Sequence, residues 1–84
     1  MDDYTRFRVT FSDKINALSG TVISNSSVKE VELPLALRSV TSDIFSGCTG
    51  LDTILIGSNE YTRGDSGNTI TVEINGKEAI LFLD

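Results

Sequence analysis

Residues 28–56, VKEVELPLALRSVTSDIFSGCTGLDTILI, carry the apolar triplet Val28, Val31, Leu33 and return it as Leu51, Ile54, Ile56, each member displaced by 23 residues. A fixed displacement of this kind signals stacked repeats of one structural unit. Val31 and Leu33 alternate with Glu30 and Glu32, the period-2 pattern of a short strand with one side turned inward. Pro34 ends that strand because it has no N–H to give to a ladder. Between the triplets the apolar positions are Leu37, Val40, Ile44, Phe45 and Cys48, with no helical stripe. Cap-type residues Thr41, Ser42 and Asp43 ahead of Ile44, with Gly47 after Phe45, predict a single helical or 3₁₀ turn rather than a full helix.

Working backward, residues 4–11, YTRFRVTF, set Phe7, Val9 and Phe11 on one face and Arg6, Arg8 and Thr10 on the other, a half-buried strand. The segment after it reads either as a short helix capped by Ser12 or Asp13 and closed by Gly20, or as a degenerate first repeat. The repeat fits better. A shift of 22 residues carries Val31, Leu33, Leu37, Val40, Ile44 and Phe45 onto Val9, Phe11, Ile15, Leu18, Val22 and Ile23, all apolar. The difference between the 22- and 23-residue steps falls in the polar stretch 24–27, where a turn loses a residue at little cost.

Working forward, residues 57–69, GSNEYTRGDSGNT, hold three glycines and almost no apolar residue, and read as an exposed loop. Ile70, Val72 and Ile74 then alternate, Asn75-Gly76 is the favoured two-residue hairpin turn, and Ala79, Leu81 and Leu83 return on the same face. That turn sets Val72 opposite Ala79 and Ile70 opposite Leu81. Ile80 and Phe82 occupy the second face, so the last strand is expected to be covered on both sides. The expected role of the hairpin is to cap the open end of a stack whose exposed apolar edge invites aggregation. The chain is thus read as a single, mainly β domain, 1–84, with repeats over 9–56, an exposed loop over 57–69 and a hairpin cap over 70–84.

Composition narrows the function. At 84 residues the chain fits one small domain. A net charge of -5 with scattered basic residues lacks the electrostatic footprint of a nucleic-acid binder. No apolar run approaches the roughly 18 residues of a membrane span, so no membrane insertion is expected. The start MDDYTR lacks the basic-then-apolar order of a secretion signal, and the chain as written is read as not exported. The single cysteine, Cys48, provides neither an internal disulfide nor a cysteine metal cluster and reads as a buried reduced thiol. With no histidine, Ser–His and Cys–His nucleophile systems are excluded. Twelve acidic residues are spread without a distinctive pair, and no glycines form a phosphate-cradling loop. No enzymatic activity and no cofactor are expected.

The spacing Val28-x-x-Val31-x-Leu33, repeated as Leu51-x-x-Ile54-x-Ile56, and the longer L-P-x-x-L-x-x-V-x-x-x-x-F-x-x-C-x-x-L from Leu33 to Leu51, resemble leucine-rich repeats of the bacterial surface-antigen, or BspA-like, type. The resemblance covers about residues 9–56. It departs from the family's pattern in lacking the usual Asn and in carrying Ile44 where Ala is preferred before Phe. It implies a β/α solenoid fragment, a curved stack of about two repeats with short parallel strands. It further implies no catalytic centre, and a role in protein–protein contact at a cell surface or in a secreted protein.

The repeat register lines up the outward residues as Arg8, Glu30, Thr53 and as Thr10, Glu32, Leu55, the sheet face that leucine-rich repeats commonly use for binding. Arg8 and Glu30 are placed to pair across strands. A merely solvated face is the plainer reading of the same alternation. A second candidate is Arg63-Gly64-Asp65, which resembles the integrin-recognition tripeptide and equally suits an ordinary turn. Asp65 and Asn68 lack the dense oxygen spacing of a calcium loop. The expected function is therefore protein–protein interaction, with two competitors. One is a self-assembling homo-oligomeric component of a phage-derived or cell-envelope particle, and the other is an adhesin using the Arg63 loop.

Overall fold

A computed structural model describes residues 7–63 and 67–84, with the backbone alone of Phe7. Among these residues the protein is built from strands and turns with no helix. We label the strands β1 (Phe7–Thr10), β2 (Ala17–Leu18), β3 (Val28–Leu33), β4 (Ser39–Val40), β5 (Thr53–Ile56), β6 (Asn59–Thr62), β7 (Thr69–Ile74) and β8 (Lys77–Phe82). They form a four-stranded sheet in the order β1-β3-β5-β6 and the two-stranded sheets β2-β4 and β7-β8.

The displacement read from the sequence is the pairing register. Val9 lies beside Val31, and Val31 beside Ile54, in parallel ladders whose steps are 22 and 23 residues. A second parallel ladder sets Leu18 beside Val40. Main-chain hydrogen bonds repeat the step between ladders. Arg38 N–H donates to the Asn16 carbonyl at 2.8 Å, Val22 N–H to Ile44 at 2.9 Å and Asp52 N–H to Lys29 at 3.1 Å. Satisfying the backbone of irregular segments in this way is what permits them to lie against one another. Their close approach fixes a glycine: Gly47 has φ 98°, and a Cβ there would sit 2.1 Å from Ser24 Oγ, one step earlier in the chain. A side chain at this position conflicts with both the backbone conformation and the neighbouring turn.

The single helical or 3₁₀ turn expected over 41–48 is a run of tight turns and no full helix, with Ser46 N–H bonded to the Asp43 carbonyl and Cys48 N–H to the Phe45 carbonyl, both three residues back as in a 3₁₀ turn. Gly47, at φ 98°, ends the run before a helix, whose nucleus is costly, can propagate. Ile44, Phe45 and Cys48 are fully buried.

The loop expected over 57–69 is corrected at 59–62, which form a strand, while residues 64–66 lie outside the described residues. After Ile56 the chain reverses at Gly57-Ser58, and Asn59–Thr62 returns antiparallel to β5 as β6, with Ile54 opposite Tyr61. Gly57 at φ 61° satisfies the first central position of a two-residue II′ turn. The polar composition hid this strand: it forms because the edge of β5 offers unpaired backbone groups, not because β6 has much apolar surface to bury.

β7 and β8 form the expected hairpin, with Asn75 and Gly76 both at positive φ and Val72 opposite Ala79 and Ile70 opposite Leu81. Its inner face joins one continuous core: Ile70, Val72, Ile74, Leu81 and Leu83 cluster with Val31, Leu33, Ile44, Phe45, Leu51 and Ile54. Main-chain bonds fasten it to the turn region, Phe82 N–H to the Ser42 carbonyl at 2.9 Å and Gly47 N–H to the Leu83 carbonyl at 3.0 Å. The second face of β8 is not covered, since Ile80 and Phe82 are about half exposed. Two strands alone cannot bury both their faces.

Candidate functional site

The site is built on the outward side of the four-stranded sheet. Because Glu30 and Glu32 are two residues apart on β3, they point the same way, and the parallel register sets Arg8 beside Glu30 and Thr10 beside Glu32. The rows continue onto β5, Glu30 beside Thr53 and Glu32 beside Leu55. All six residues expected as a partner-binding face, Arg8, Thr10, Glu30, Glu32, Thr53 and Leu55, therefore lie on adjacent strands in two cross-strand rows.

Arg8 reaches across both acids. Its Nε lies 3.3 Å from Glu30 Oε2 and its Nη2 donates to Glu32 Oε1 at 2.8 Å. Direct and diagonal neighbours on one sheet face are within reach of a long side chain. The Glu30 side chain is 11% exposed while those of Arg8 and Glu32 are 46% and 43% exposed, so the guanidinium spans from an enclosed carboxylate to an open one.

Sequence reasoning missed the fourth strand of this face. β6 adds Thr62 beside Thr53 and Glu60 beside Leu55. The available signal was a glycine-led turn directly after Ile56 followed by Tyr61 and Thr62, residue types that suit strands. With β6 included, the face carries, among the described residues, the carboxylates of Glu30, Glu32 and Glu60 against the guanidinium of Arg8, interspersed with three hydroxyls and half-buried Leu55. Its chemistry is anionic and hydrogen-bonding, with one apolar contact point. Where β1, β3 and β5 end, Phe11, Asp13, Glu32, Pro34, Leu35 and Gly57 border an open cleft of about 560 Å³ that continues from the face.

The secondary candidate is positioned differently. Gly64 and Asp65 lie outside the described residues. Arg63 is half-buried, and its guanidinium is turned to main-chain carbonyls: Nε donates to Leu51 at 3.0 Å, Nη2 to Thr49 at 2.8 Å and also to Leu51, and Nη1 to Gly67. Its own N–H donates to the Asp52 carbonyl. Arg63 thus fastens the end of β6 to the segment that opens β5. No sequence spacing announced this contact, in which a side chain reaches main-chain carbonyls 12 and 14 residues earlier.

Cys48 is buried and unpaired in a disulfide, its thiol 3.4 Å from the Ile23 carbonyl. Among the described residues no three of His, Cys, Asp and Glu converge to hold a metal ion, and no helix is long and apolar enough to cross a membrane. Comparison with protein-family models, with curated proteins and with solved structures finds no match to this chain.

Proposed function

We propose that the protein is a short, capped leucine-rich-repeat module of the BspA-like type, non-enzymatic, whose sheet face binds a protein partner. The observation that carries this reading is the in-register alignment of Arg8, Glu30, Glu32, Thr53 and Leu55 across parallel strands stepped by 22 and 23 residues. A rigid, strand-built surface loses little conformational entropy on binding, which favours recognition. The excess of carboxylates over guanidinium among the described residues of the face fits a partner presenting Lys or Arg, and β6 widens the surface by Glu60 and Thr62.

Site-specific photo-crosslinking tests this in the native cell. A crosslinking residue at Thr53 is expected to give a discrete adduct with another protein, and one at Ser39, on the separate β2-β4 ladder, is not. Adducts from Ser39 and none from Thr53 would remove the sheet face as the binding surface.

The self-association reading keeps a place because the N-terminal end of the ladder is incompletely buried. The adhesin reading is weakened by the Arg63 guanidinium, which bonds three backbone carbonyls where integrin recognition needs it presented outward.

A further inference from the structure

The open cleft where β1, β3 and β5 end has walls made by two tight turns. On one side the chain leaves β1 through Phe11 and turns at Asp13, held by Ile15 N–H to the Ser12 carbonyl at 3.1 Å and by Lys14 N–H to Ser12 Oγ at 3.2 Å. On the other it leaves β3 at Pro34 and turns through Leu35 and Ala36, closed by Leu37 N–H to the Pro34 carbonyl at 3.2 Å. The Phe11 ring is anchored by the buried ring of Phe45, 6.5 Å away. Leu35 leans on bare backbone, since a Cβ at Gly57 would lie 2.7 Å from its Cδ2. These supports form the cleft before anything enters it. Its volume of about 560 Å³ falls within the ~300–1,000 Å³ of ligand sites.

The chemistry of the cleft is one-sided. Asp13 and Glu32 bring its polar side chains, both carboxylates, and the other lining side chains are apolar or, at Gly57, absent. Ionised carboxylates only accept hydrogen bonds, and Pro34 has no N–H to add. Arg8 takes Glu32 Oε1 at 2.8 Å, while Glu32 Oε2 and the Asp13 carboxylate have no partner among the described residues. Leu35, 77% exposed, is the most exposed of the large apolar side chains described.

Apolar walls with acceptors and no side-chain donor select the occupant. An anion would find no donor, and a purely apolar group would strip water from two carboxylates without replacing it. A cation on an aliphatic stem satisfies both parts. Arginine does so best, because its guanidinium carries five N–H donors in a fork that matches carboxylates and also lies favourably against an aromatic ring.

We infer that the cleft is an arginine pocket of the partner-binding face. An arginine of the partner protein places its stem between Phe11 and Leu35 and its guanidinium between Asp13 and Glu32. This rests on the reading of the sheet face as a partner surface and names the side chain that the surface takes. The pocket lies at the ends of β1 and β5 away from Phe7 and Thr62, and its lining consists of described residues.

Amide chemical shifts of the isotope-labelled chain, followed as Nα-acetyl-arginine amide is added, test the pocket. Shifts are expected at Phe11, Asp13, Glu32, Leu35 and Gly57, saturating with a Kd of about 1 mM, the strength a fragment of this size reaches at ordinary ligand efficiency. Nα-acetyl-citrulline amide, equal in shape and uncharged, is expected to leave those amides unmoved. Asp13→Asn should weaken arginine binding about fivefold, the upper end for a solvent-facing charge pair, and Leu35→Ala about twofold through lost apolar contact. Both positions are exposed, so thermal unfolding should be unchanged. Glu78→Gln, on the hairpin, removes the same charge and should leave binding as it is. The inference falls if the cleft amides stay still at about 20 mM arginine probe, well above that Kd. It also falls if the citrulline probe moves them equally, or if Glu78→Gln weakens binding as much as Asp13→Asn. Crosslinking at Thr53 reports on the face separately: an adduct with a silent cleft removes the pocket and keeps the face, and cleft shifts without an adduct do the reverse.

Discussion

The two ends of the parallel ladder carry similar apolar residues and finish differently. At the C-terminal end Leu51, Ile54 and Ile56 are roofed by the inner face of β7 and β8, and all three are buried. At the N-terminal end Val9, Phe11, Ile15 and Ile23 pack on the same core and remain half-buried. An apolar pattern sets which way a side chain points, and a neighbour on each side is what removes it from water. Repeat arrays depend on their ends for this reason. In this chain β6 occupies the sheet edge of β5, and the hairpin packs on the same core.

The most severe way to break the contrast is to remove the roof. Deleting residues 69–84 takes away Ile70, Val72, Ile74, Leu81 and Leu83, each buried and each worth about 1.5–3 kcal/mol relative to exposure, against a total stability of about 5–15 kcal/mol. The shortened chain is expected to lose cooperative thermal unfolding by circular dichroism. A sharp transition in that chain would mean that the ladder stands without its cap.

A smaller change compares the ends at one repeat position. Phe45→Ala empties a fully buried site and is expected to cost about 3–5 kcal/mol in urea unfolding. Ile23→Ala, one step earlier and half-buried, should cost about 1–2 kcal/mol, because part of its surface already meets water. Equal costs would contradict the proposed asymmetry. The Phe45 ring also sits 6.5 Å from that of Phe11, a tilted pair, so its loss reaches the open end as well.

These contrasts also explain what could be read from the sequence. The ladder register was legible because period-2 alternation fixes which residues face inward, and a one-residue slip would turn Val31 and Ile54 to solvent. The hairpin was legible through Asn75-Gly76 and the alternation on either side. β6 was not, because Asn59 and Glu60 have little to bury and pair only because β5 is already there. The β2-β4 ladder is two residues long and exists through stacking, not local preference. Ile80 and Phe82 looked like core and are half exposed, since alternation marks two apolar faces without telling which has a neighbour. Of the candidate site, the six strand-face residues followed from register. Thr62, Glu60 and the carbonyl contacts of Arg63 required the fold.

The mildest perturbation asks what holds the open end where apolar burial is incomplete. Arg8 ties β1 to β3 through enclosed Glu30 and open Glu32, and a solvent-facing pair such as Arg8–Glu32 contributes about 0.2–1 kcal/mol. Arg8→Ala is therefore expected to destabilise by about 1 kcal/mol at low salt. The loss includes the repulsion of two carboxylates on one strand face that no longer share a guanidinium. Raising the ionic strength to about 1 M shortens the screening length to about 3 Å and should roughly halve the difference between variant and wild type. An apolar contact would respond in the opposite sense or not at all. A double-mutant cycle with Glu32→Gln separates the pair from the packing of the arginine stem. A coupling energy near zero would leave the aliphatic part of Arg8, lying along β3, as what fastens the first strand, and the end of the ladder would then be held by the same force as its centre, more weakly applied.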